Sequence, residues 1–200
     1  ATAISTNLTT VCDDEVDPAN QDGKYAFDTS TFETTILAGQ TGMTVKYYDQ
    51  NNILLPSPLP NPFITATQNV TVVVENPINT NCSATTTIPF IVHRIPNIEL
   101  NSTQLICSNI PAFFVTLDAG FLDNSSAANF NYNWKKDGAI LNITTPTLGV
   151  NSEGNYTVGV TNQSGCSTTR SIQVTASNIA TITSIDIVDL VDRNTVTINT

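Results

Sequence analysis

Charge is scarce in this chain. Asp, Glu, Lys and Arg make up 12% of its 200 residues, against roughly a quarter in an ordinary globular domain. Cations are scarcer still, with 7 Lys and Arg against 17 Asp and Glu, for a net charge of -10. A surface this acidic cannot neutralise phosphates, so a nucleic-acid binder is excluded. No apolar run is long enough to span a bilayer, so direct membrane insertion is not expected. Apolar residues at a 3.6-residue spacing are also missing, which leaves almost no helix. There is one histidine and one tryptophan. His93 has no G-x-S-x-G elbow or equivalent nucleophile to activate. The four cysteines form no C-x-x-C pair, which argues against a structural zinc or thioredoxin-type motif. The chain reads as non-catalytic.

What is abundant instead is Thr, Asn and Ser. Thr is stiff at χ1 and favours exposed strand faces. The stretch 132–166, YNWKKDGAILNITTPTLGVNSEGNYTVGVTNQSGC, is the most ordered text in the sequence. Tyr132 and Trp134 lead into Asp137-Gly138, the dipeptide of a tight hairpin turn. Tyr156, Val158 and Val160 then alternate with Thr157, Gly159 and Thr161, the period of a half-buried strand. Tryptophan, turn, tyrosine strand and closing cysteine follow the order of an immunoglobulin-like sandwich. Trp134 and Tyr156 are therefore expected in a core. An exposed Trp134 stacking on a sugar is the competing reading.

The cysteines fall near the ends of two units: Cys12 with Cys82, and Cys107 with Cys166. One disulfide per domain is the simplest connectivity, each loop stabilising by roughly 4 kcal/mol. Trp134 would pack against the Cys107–Cys166 bridge. Cys166 follows the whole Tyr156 strand, which places that bridge at one end of the sandwich. Such bonds imply an oxidising compartment, hence secretion or surface display; four reduced core cysteines are the alternative.

The expected organisation is all-β, with tandem antiparallel sandwiches at 1–96 and 97–178. The first has an acidic N-terminal loop and strands at 43–49, 68–76 and 85–96. The Pro-rich stretch 51–63 cannot supply a central strand and is expected as an irregular or edge crossing. Residues 179–200, with a turn at Asp192-Arg193-Asn194, are too few for a core. They read as the start of a further repeat, or as a strand donated to a neighbour. The chain reads as a mature or excised piece of something longer.

The texts CDDEVDPANQDGKYAFD, LAGQ, VKYYD, QNVTVVVEN and NCSATTTIPFIV resemble a repeat of flavobacterial gliding-associated or adhesin-like surface proteins exported by type IX secretion. The second unit resembles the Ig-like or PKD-like repeat that follows it in those chains. The resemblance implies a disulfide-stapled array on or outside a Gram-negative cell, serving as stalk, spacer or filament unit. Its partners would be neighbouring repeats or identical subunits.

A few residues invite chemistry. Asp13, Asp14, Glu15, Asp17 and Asp22 crowd one loop, and hard calcium takes several oxygen ligands. Asp14, Asp17 and Asp22 are the first candidates. The spacing is not that of an EF-hand, and a solvated acidic loop is the competing reading. Glu99 and Glu153 lack the aromatic company of a glycosidase pair. Tyr47 and Tyr48 point to opposite faces of one strand, leaving one free for a weak sugar or partner contact. An extracellular glycan or surface polymer is thus the alternative ligand class. N-x-[ST] sequons at Asn7, Asn69, Asn81, Asn101, Asn124, Asn142, Asn155 and Asn162 are expected from composition.

Overall fold

The computed structural model describes the chain except residues 7–9, 108–109, 111, 178–182, 190–191, 193 and 200. Two compact units emerge. The first holds Ala1–Ile98 with Phe121–Phe130 and Val160–Thr168; the second holds Glu99–Gly120, Asn131–Gly159 and Thr169–Thr200.

In chain order the first strand set is β1 (Val11–Cys12), β2 (Lys24–Phe27), helix α1 (Phe32–Leu37), β3 (Thr44–Tyr48), β4 (Leu54–Leu55), β5 (Phe63–Ala66), β6 (Gln68–Asn76), β7 (Asn79–Phe90) and β8 (Val92–His93). One sheet runs β4-β3-β6-β7, β2 pairs with β5, and β1 lies parallel to β8. Alternation explains β6: Val70, Val72 and Val74 are fully buried, while Thr71 and Val73 face out. Phe90 is the centre of an aromatic cluster, edge-on to Phe27 at 4.8 Å and to Phe63 at 5.3 Å. Such pairs add to simple burial. The short helix, the only one of α type among the described residues, seats Phe32 and Ile36 on this cluster. That i, i+4 spacing puts both on one face. The Pro-rich crossing contributes only edge strand β4, then buries Leu59. Ser57-Pro58 and Asn61-Pro62 are cis.

The second set is β9 (Asn101–Cys107), β10 (Val115–Asp118), β11 (Phe130–Lys136), β12 (Ala139–Ile140), β13 (Thr147–Val150), β14 (Gly154–Asn162) and β15 (Ser167–Ser177). They form a sheet β12-β11-β14-β15-β9, with β9 parallel to β15, and a pair β10-β13. This is an immunoglobulin-like strand order. Asp137 and Gly138 have φ of 49° and 85°, as a two-residue type I′ hairpin requires. The strand after this turn, β12, stops at Ile140, where the Leu141 N–H turns to the Trp134 carbonyl and Asn142 takes a positive φ. Trp134 is fully buried and its indole N–H donates to the Thr145 carbonyl at 2.8 Å. Tyr156 is buried too, and its hydroxyl donates back to the Ser152 carbonyl at 3.0 Å, a tyrosine corner. Beyond 182, β16 (Ser184–Asp189) and β17 (Asn194–Asn199) make an antiparallel hairpin. The turn expected at 192–194 falls partly outside the described residues.

The cysteine connectivity needs correction. Cys12 bonds Cys166, with Cα atoms 5.6 Å apart; Cys82 and Cys107 are free thiols. Neither Cys12–Cys82 nor Cys107–Cys166 forms, so the pattern of one bridge per domain fails. The reason is geometric. Cys12 is registered against His93, eleven residues along a nearly continuous strand from Cys82. At ~3.3 Å per residue that is about 35 Å, far beyond the ~7 Å a disulfide spans. Cys107 stands opposite Ser177, again eleven residues from Cys166. Trp134 therefore packs in a core with no Cys107–Cys166 bridge beside it.

Candidate functional site

The disulfide is the best-defined chemical feature of the chain. β1 is brought to it by the Val11 and Asp13 N–H groups, which donate to the carbonyls of Ile91 at 3.1 Å and His93 at 2.8 Å. Cys166 is brought by the turn between β14 and β15. There Asn162 does most of the shaping: its side-chain oxygen accepts from the N–H groups of Ser164 and Cys166, both at 3.0 Å. Its side-chain amide reaches the Arg94 carbonyl at 2.8 Å. Asn is suited to this, because its short amide mimics a backbone turn. Gly165 takes the left-handed conformation that completes the turn, at φ 84°.

His93 sits beside this bond, with Nδ1 3.2 Å from the Ser164 hydroxyl. An activated serine needs a base that is itself oriented by a third group. Among the described residues Ser164 is the only side chain bonded to the imidazole. The pair joins β8 to the β14–β15 turn, alongside the Asn162 contact. Next to it lies an open cleft of about 430 Å³, walled by Pro18, Gln21, Arg94, Pro96, Asp123 and Phe130. Gln21 shapes its wall by accepting from the Ile95 N–H at 2.8 Å.

The candidate calcium residues are not gathered. Asp17 caps a 3-10 turn at Pro18–Asn20 by accepting from the Ala19 N–H at 2.9 Å. Asp22 accepts from the Lys24 backbone and pairs with its ammonium at 2.8 Å. The Lys24 side chain holds that carboxyl below the usual range. Asp14 is exposed. Among the described residues no three acidic, His or Cys side chains cluster as metal ligands. Asp13 organises the loop: buried, it accepts from the N–H groups of Gly23 at 2.7 Å and Glu15 at 3.2 Å.

Sequence reasoning missed Arg170. It is 7% exposed, and its guanidinium bonds Asp118 at 2.8 Å, Glu99 at 2.7 Å and the Ser102 hydroxyl at 2.9 Å. Glu99 is thus an ion-pair partner, not half of a carboxylate pair. The signal was present: in STTRSIQV, Arg170 shares a face with Thr168, Ile172 and Val174, all buried. Tyr47 is fully buried and Tyr48 partly so. Of the sequon asparagines, Asn7 lies outside the described residues. Asn162 is partly buried and engaged, and the rest are exposed.

Comparison with known proteins follows the same lines. Residues 7–96 match the model of the Flavobacterium inter-domain disulphide bond domain. No curated protein matches the chain. Among solved structures, immunoglobulin domains 1–4 of Sidekick-1 share 12% identity at a TM-score of 0.38, over 68% of this chain and 41% of that one. The Ig1-2 module of Drosophila receptor protein tyrosine phosphatase DLAR shares 9% at 0.30, over 68% and 84%. A Bacteroides ovatus glucan-utilisation protein, SGBP-B, solved with a mixed-linkage heptasaccharide, shares 13% at 0.27, over 88% and 45%. The chain thus spans about two fifths of the Sidekick-1 structure. Residues 7–96 are thus similar to a flavobacterial Ig-like domain.

Proposed function

We propose that this chain is a non-catalytic spacer of a flavobacterial surface protein, carried outside the cell by type IX secretion and holding adhesive parts away from the envelope. The observation that carries the reading is the Cys12–Cys166 disulfide in an all-β chain. A bond of that kind persists where the surroundings are oxidising. The low charge and Thr-rich strand faces suit a solvated exterior, and the net charge of -10 opposes non-specific aggregation. The flavobacterial match over residues 7–96 supports the setting.

A glycan array probed with the folded, oxidised chain, with and without added calcium, tests this. A spacer gives no binding in either condition and no calcium-dependent change in melting. Saturable binding to one glycan class, abolished by a change in the cleft or in the Asp14–Asp22 loop, overturns it in favour of a recognition module.

A further inference from the structure

The two free cysteines occupy the same places in the fold as the two that are bonded. Cys12 ends β1, the first strand of its set, which runs parallel to the last strand, β8; Cys107 ends β9, the first strand of the second set, parallel to the last, β15. Cys166 lies in the turn after β14 and Cys82 is the fourth residue of β7, just past the turn after β6; β6 and β14 share the same pattern of buried and exposed residues. The spacing agrees as well. The residue opposite Cys12 is His93, eleven beyond Cys82; the residue opposite Cys107 is Ser177, eleven beyond Cys166. Each sandwich therefore carries one cysteine at its first-strand end and one at its turn end. The observed bond joins a cysteine of the first-strand end to one of the turn end. What remains is one of each kind: Cys107, partly buried, and Cys82, exposed.

We infer that Cys107 and Cys82 are complementary half-cystines, and that Cys107 of one copy of this chain bonds Cys82 of the next. The bond between copies repeats the Cys12–Cys166 arrangement. This deepens the spacer reading and rests on it. Chemically, the two thiols lose two protons and two electrons as the S–S bond forms. The electrons pass to a disulfide oxidant, which is reduced to two thiols. Exchange proceeds through a mixed disulfide, and oxidised glutathione serves as the oxidant in vitro.

The test uses two variants of the whole chain, C82S and C107S, with Cys12–Cys166 intact. Each retains one member of the pair. In glutathione redox buffer, each alone is expected to stay monomeric, while the mixture gives a disulfide-linked heterodimer. Peptide mapping should then find Cys107 joined to Cys82, and the unaltered chain should form a ladder of linked copies. Dimers from either variant alone, an intrachain Cys82–Cys107 bond, or no dimer from a folded mixture would overturn the inference. None of those outcomes touches the spacer reading, which fails only if the glycan array is positive.

Discussion

The two sandwiches are built on one strand plan and filled in different ways. β6 and β14 occupy the same position, with Val70, Val72 and Val74 in one matched by Tyr156, Val158 and Val160 in the other, all buried. Around β6 the space is taken by aromatic rings, with Phe90 touching Phe27 and Phe63, and by Tyr47. Around β14 it is taken by Trp134 and by Arg170 with its two carboxylates. Backbone alternation specifies the plan, while shape and polarity of the filling are free to vary. One filling is dry. The other contains a cation whose Nε is buried without a hydrogen-bond partner among the described residues.

Opening the disulfide is expected to have the largest effect on this comparison, because the bond lies within the first unit. With a sequence separation of 154, the chain-entropy model gives about 5 kcal/mol. Reduction should lower the far-UV melting midpoint, and an unchanged midpoint would show that the bond adds no stability. Next comes Trp134→Ala in the second sandwich, expected to cost about 4 kcal/mol through loss of burial and the cavity left behind. Denaturant unfolding by circular dichroism measures it, and a loss under 1 kcal/mol would place the indole outside the core.

Gly120→Ala probes the polar filling. Gly120 has a φ of 73°, and a Cβ there would sit 1.7 Å from Arg170 Nη1. The strained backbone alone costs about 2 kcal/mol. The guanidinium must also move off Asp118. The same denaturant curves should show the loss, and it should shrink in a chain that also carries Arg170→Met.

The smallest effect is one of pH. Burial first, and the Glu33 charge second, push the Tyr47 phenol from 10.0 up to about 12. The neutral form is favoured when folded, so the unfolded chain loses its proton first. Stability is therefore unaffected below pH 10 and falls between pH 10 and 12, by up to about 1.4 kcal/mol per pH unit. Burial also raises Tyr132, so part of the alkaline loss belongs to the second sandwich. Tyr47→Phe should remove the first sandwich's share and leave the rest. An unchanged alkaline curve in that variant would refute the assignment.

Much of the fold could be read from the sequence because its signals are local. Alternation in QNVTVVVEN and GNYTVGVTN, the Asp137-Gly138 turn and the Pro-rich edge each declare themselves within ten residues or so. The disulfide could not be read that way. Cys12 and Cys82 look like natural partners because they bracket one domain in sequence. Only the parallel pairing of β1 with β8 reveals that they sit at opposite ends of it. Arg170 was hidden differently: its alternation pointed inward, but a buried cation carries meaning only once Glu99 and Asp118 are seen beside it. The acidic loop misled in the opposite direction. Its carboxylates are close in sequence, yet Asp13, Asp17 and Asp22 are each occupied by backbone N–H groups of their own loop.

The Cys12–Cys166 bond also decides how the chain carries tension. A pull applied to its two ends passes from Cys12 straight across the sulfurs to Cys166, so the covalent path skips everything between them. The separation of 154 residues, at ~3.5 Å per extended residue, amounts to about 540 Å of contour that cannot pay out while the bond is closed. Under oxidising conditions the residues between the two cysteines are shielded from the pull, while β15 and the rest of the chain beyond Cys166 still bear it. Reduction turns the same polypeptide into a long tether.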